Sequence, residues 1–105
     1  MEKLELEITE TIEDGKYCLF AKGRVDSNTA DSLLSKLENA LKTGQKTIIL
    51  NMSKVNYLSS IGIRVILKIY KQLNESGGTF NIDRPSGIVR NVLGMVALKD
   101  LMVTN

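Results

Sequence analysis

Near its N-terminus the chain alternates Leu4, Leu6 and Ile8 with Glu5, Glu7 and Thr9, the period-two pattern of a strand with one buried face and one wet one. Asp14-Gly15 supplies a tight turn, and the apolar stretch Tyr17 to Ala21 predicts a second strand, so that residues 4–22 read as a hairpin. After Gly23 the polar run R-V-D-S-N-T-A is rich in helix-capping residues, with Ser27 or Asn28 as the expected cap and Asp31 in the favourable first turn. Ala30, Leu33, Leu34, Leu37, Ala40 and Leu41 then recur at steps of three and four, the spacing of an amphipathic helix, and Gly44 is placed to end it.

Thr47 to Met52 is a continuous apolar run of strand length, as expected for a central strand covered on both faces. Beyond it, Ser59-Ser60 opens a second helical pattern. At one hundred degrees per residue Gly62, Ile63, Ile66, Leu67, Ile69, Tyr70 and Leu73 fall on one arc, opposite Arg64, Lys68, Lys71, Gln72 and Glu75. Ile61 falls in the middle of the polar arc, near Lys68 and Gln72. Ser76-Gly77-Gly78 breaks the helix before a short strand, Thr79 to Asp83. Pro85 suits the first turn of a third helix with Ile88, Val89, Val92 and Leu93 on its buried face and Gly94 as its stop, and Leu101 to Val103 is a candidate edge strand. A hairpin followed by alternating helices and strands implies an α/β domain with a mixed sheet and right-handed parallel crossovers.

The 105 residues make one domain, and 43% hydrophobic against 25% charged residues is the balance of an ordinary globular protein. No apolar run approaches the length of a membrane span, and the glutamate-rich N-terminus is unlike a signal peptide, so a cytoplasmic protein without direct membrane insertion is expected. The chain has no histidine and a single cysteine, Cys18, which reads as a small core residue. That composition argues against metal sites, disulfides and the commonest general base. A net charge of +2 with scattered basic residues and few aromatics argues against nucleic acid. No glycine-rich nucleotide motif is present, no cofactor is expected, and no convergent acid, base and nucleophile mark an enzyme.

Three segments, G-R-V-D-S-N-T-A (23–30), I-I-L-N-M-S-K-V-N-Y-L-S-S-I-G-I-R-V-I-L (48–67) and the Gly77-Gly78 break before a strand, make the chain resemble a STAS domain of the bacterial anti-sigma factor antagonist type. The resemblance implies a single STAS-like domain over residues 1–105: a mixed sheet of about five strands, with about three helices packed mainly on one face. In that family the second serine of the motif at the helix start is phosphorylated by a partner that is both anti-sigma factor and serine kinase, and Ser60 is the matching position, with Ser59 as the alternative. The loop aspartate of the family is matched by Asp26. Members often carry Asp-Ser-Ser-Gly or Ser-Ser-Ala-Gly where this chain has Ser59-Ser60-Ile61-Gly62, and many continue into a further helix where this chain stops at Asn105.

The resemblance thus implies a phosphorylatable binding module, monomeric or weakly dimeric, that regulates sigma-factor-dependent transcription by partner switching. Asp26, Ser59, Ser60, Ile61 and Arg64 are the expected contacts. A phosphate at a helix start meets unpaired amides and the positive end of the dipole, so the fold tolerates it where a partner pressed on the same spot does not. The alternative function is a non-phosphorylated scaffold subunit of a membrane transporter or sensory complex.

Overall fold

The computed structural model describes residues 5–95 and 102–103. The elements are β1 (Leu6–Glu13), β2 (Lys16–Val25), α1 (Ala30–Lys42), β3 (Thr47–Leu58), α2 (Ser60–Glu75), β4 (Thr79–Asp83), α3 (Gly87–Met95) and β5 (Met102–Val103). Leu4 and Leu101, expected in the first and last strands, lie outside the described residues. Asp14 and Gly15 both adopt positive φ (51° and 74°), and Glu13 pairs with Lys16 across this two-residue turn. The hairpin is therefore built on the backbone twist that favours Asp-Gly.

The strands stand in the sheet in chain order, β1-β2-β3-β4-β5, with β1 antiparallel to β2 and the others parallel. Four strands are substantial, and β5 adds two residues. Because each parallel crossover steps in the same direction and right-handed crossovers prevail, all three helices belong on one face. Burial agrees: Leu19, Ala21, Leu50, Met52, Phe80 and Ile82 share one apolar cluster with Leu33 and Leu37 of α1, Ile66 and Ile69 of α2, and Val89 and Leu93 of α3.

This arrangement corrects the expectation for β3, which is covered on one face only. Ile48, Leu50 and Met52 are buried, whereas Ile49 and Asn51 point to the helix-free face and are half-exposed. Cys18 belongs to that second face and lines a shallow hollow with Thr9, Phe20 and Ile49, so it is not a core residue. β3 also outlasts its apolar run, continuing to Leu58 beside β2 across two register shifts, where Val25 pairs with Leu58.

Other expectations change at the helix starts. The cap position of α1 is Thr29, not Ser27 or Asn28, and its hydroxyl donates back to the Arg24 carbonyl (2.7 Å). In α3 the first helical residue is Gly87 and not Pro85. Ser86 precedes it, its Oγ accepting from the Val89 amide (3.3 Å) and donating to the Val55 carbonyl (2.6 Å). The same helix runs through Gly94 to Met95, so Gly94 is no stop. Ile88 and Tyr70, placed on buried arcs by periodicity, are exposed, and Val65 is buried instead. A nine-residue helix gives a wheel too little length to fix its phase, and Tyr70 sits at the margin of its arc.

Candidate functional site at the serine turn

β2, β3 and β4 run parallel, so the loops leading into α1, α2 and α3 all leave from the C-terminal ends of strands. The turn from β3 into α2 is fixed by Ser59. Its amide donates to the Val25 carbonyl (2.9 Å), its carbonyl accepts from the Ile63 amide (3.0 Å), and its Oγ accepts from the Gly62 amide (3.3 Å). Ser59 is the N-cap in extended conformation, φ −86° and ψ 170°, and every polar group it has is engaged in holding the turn.

Ser60 is the first residue of α2 and is exposed, and its hydroxyl makes no hydrogen bond among the described residues. The first turn of α2 carries no acidic residue. A negative group added at Ser60 therefore meets the positive end of the helix and no local repulsion from within that turn. Ile61 follows with 41% of its surface exposed, on the outer side of the helix as the wheel predicts. Gly62 faces inward, where an added Cβ would lie 2.6 Å from both Leu58 Cδ1 and Val25 Cγ1. The absence of a side chain is what lets α2 press its first turn onto the ends of β2 and β3. Arg64 is exposed and has no carboxylate partner among the described residues, whereas Lys68 reaches Glu38 of α1 at 3.8 Å.

Asp26 lies in the neighbouring loop, directly after Val25, and the structure thus brings it to the same end as the serines. Its carboxylate accepts from the Asn28 amide (2.9 Å), the Thr29 amide (3.2 Å), the Thr29 hydroxyl (3.3 Å) and Arg24 Nε (3.3 Å). Desolvation pushes the Asp26 pKa up, but the hydrogen bonds from Asn28, Arg24 and Thr29 outweigh it and hold the carboxyl below its ordinary value. No hydrogen bond joins Asp26 to Ser60 among the described residues. Asp26 is the fastener of the β2–α1 loop.

Two residues that the sequence did not single out belong here. The Arg24 guanidinium lies 4.3 Å from the centroid of the Tyr57 ring, which is 42% exposed. Asp26, Arg24 and Tyr57 thereby form one connected string across the ends of β2 and β3. The signal available in the sequence was the Arg-x-Asp spacing, which is too common to be informative without the partner strand. No helix of the described residues is long and apolar enough to cross a membrane.

The family model described as the STAS domain matches residues 3–105. The anti-sigma-B factor antagonist of Staphylococcus aureus is 28% identical over 102 residues, covering 97% of this chain and 94% of the relative. BtrV of Bordetella bronchiseptica, provisionally named an anti-sigma factor antagonist, is 32% identical over 65 residues, covering 62% of this chain but only 56% of the relative. Among solved structures, an anti-sigma factor antagonist from Mycobacterium paratuberculosis superposes with a TM-score of 0.86 at 18% identity, over 95% of this chain and 86% of that one. At that identity the last likeness speaks for the fold.

Proposed function

The chain belongs to the STAS domain family, and from that membership we propose that it is an anti-sigma factor antagonist working as a non-catalytic, phosphorylatable binding module. In its unmodified form it binds an anti-sigma factor that is also a serine kinase, through the turn of Ser59, Ser60, Ile61 and Arg64, and so releases a sigma factor. Phosphorylation of Ser60 ends the complex. The names of its relatives support the first part of this reading. The observation that carries the second is the division of labour within the serine pair: Ser59 is locked into the cap, while Ser60 presents on the surface, beside exposed Ile61, a hydroxyl unengaged among the described residues.

A phosphate would bring about −1.5 to −2 charges to the centre of the contact. Burying such a charge without a partner costs on the order of 3–5 kcal/mol, a hundredfold or more in affinity. The test is incubation with ATP and the recombinant anti-sigma serine kinases of the same cell, followed by mass mapping. Modification confined to Ser60 and abolished in Ser60→Ala supports the switch; a chain that stays unmodified, or is modified equally in Ser60→Ala, refutes it.

Ile61 favours a second reading. Set against Ser-Ser-Ala-Gly, Ser60 takes the place of the second serine. Set against Asp-Ser-Ser-Gly, that place falls to Ile61, which cannot accept phosphate. In that case the chain is a permanently unmodified STAS scaffold, of the kind that serves in a transporter or sensory complex, using the same exposed turn.

A further inference from the structure

The chain has four arginines, and all of them lie at or just beyond the C-terminal ends of the parallel strands. Arg24 is the penultimate residue of β2, Arg64 the fifth of α2, Arg84 the first after β4, and Arg90 the fourth of α3. The lysines among the described residues are distributed over the rest of the fold as well as here. All four arginines are exposed, and only Arg24 is paired with a described carboxylate, Asp26 at 3.3 Å. Solvent-facing lysine serves solubility; arginine is the residue suited to interfacial carboxylates, because its planar fork binds them bidentately and is weakly hydrated.

The exposed apolar residues are distributed in the same way. Of five large hydrophobic side chains exposed among the described residues, three lie at or just beyond strand ends: Tyr57, the penultimate residue of β3, Ile61 in the first turn of α2, and Ile88, 46% exposed, in the first turn of α3. Ser86 binds the Met52 carbonyl through its amide (3.2 Å) and the Val55 carbonyl through its hydroxyl (2.6 Å), so α3 starts against the segment of β3 that leads into Tyr57. Tyr57 in turn carries Arg24 on its ring. The apolar residues are thus interleaved with the arginines.

We propose that this end of the molecule, extending from the serine turn over Tyr57 and onto α3, docks an acidic protein surface in which carboxylates surround an apolar patch. The inference rests on the binding-module reading and gives the partner its chemistry. Phosphate on DNA or RNA would satisfy the arginines but not Ile61 and Ile88, which gain by burial against apolar atoms. The same arrangement explains how one phosphate could act on the whole surface. Ser60 and Arg64 are four residues apart on α2 and face the same side, so a phosphoserine at 60 pairs with Arg64 and withdraws it from the partner, while facing the partner's carboxylates with like charge.

The test uses the full chain and its purified anti-sigma factor, titrated at about 50 and 500 mM salt. Arg84→Glu and Arg90→Glu, both outside the serine turn, should each weaken binding by about tenfold at low salt, and wild-type affinity should fall as salt rises. Ile88→Asp should do the same, and Lys16→Glu, at the opposite end, should bind as wild type does. If Ile61→Asp abolishes binding while the Arg84, Arg90 and Ile88 variants bind normally, the extended acidic-partner surface is wrong and the binding-module reading stands. If the wild-type chain does not bind at all, both fall. Binding to a short DNA duplex that disappears in the arginine variants would also overturn the proposal, in favour of a phosphate backbone.

Discussion

Ser59 and Ser60 are adjacent and chemically identical but differently engaged, and the difference is set by one helical position. The cap residue must turn its oxygen toward the amide two to three residues on, which takes Ser59 out of reach as a free nucleophile. Ser59→Ala should therefore cost about 1 kcal/mol in urea denaturation, and Ser60→Ala less than about 0.5 kcal/mol. Equal losses would contradict the assignment of roles. Asp26 shows a similar dependence on place. Its folded pKa lies below the unfolded value, so its contribution is present above the ordinary aspartate value of about 3.9 and lost as pH falls through the folded one. The Asn28 and Thr29 amide resonances should titrate with a midpoint below that value, and Asp26→Asn should abolish the shift. The place of Asp26 in the loop before α1 was legible in the sequence; its engagement by its own loop was not, because it depends on where the amides of residues 28 and 29 point.

At the scale of elements, the hairpin, α1 and α2 were legible because each has both a long apolar period and a chemical stop: Asp14-Gly15, Gly44 and Ser76-Gly77-Gly78. β3 is longer than its apolar run. Its last six residues mix Ser53, Lys54 and Asn56 with Val55 and Leu58, and two register shifts against β2 break the alternation that would have revealed a strand. The start of α3, at Gly87 and not at Pro85, departs from the pattern for a different reason: Ser86 is recruited by a β3 carbonyl that no local pattern can indicate. The contact between α2 and the sheet is the element-level feature on which the site depends. Gly62→Ala places a methyl group against Leu58 and Val25, and should cost roughly 1–3 kcal/mol in chemical denaturation as α2 lifts from the strand ends. Gly87→Ala, where an added Cβ meets nothing within 4 Å, is the matched control and should not destabilise by that mechanism.

At the scale of the whole molecule, chain order decides where function can sit. Strands laid down in sequence send every helix to one face and every strand-to-helix loop to one end, so residues far apart in the chain, Arg24, Tyr57, Ser60 and Ile88, come to the same end of the sheet without any local signal announcing it. Composition could not show this either: a net charge of +2 conceals the gathering of all arginines at that end. The fold class and the serine turn followed from the residue pattern, and the role proposed for Ser60 from family likeness. The breadth of the surface around it required the sheet. The proposal with the widest consequence is that this end binds an anti-sigma factor and that charge on Ser60 dissolves the complex. Calorimetric titration of the purified anti-sigma factor with the unmodified chain, and with the chain carrying phosphoserine at position 60, tests it most directly. Phosphorylation should cost roughly a hundredfold or more in affinity; affinities within about twofold of each other would rule the switch out.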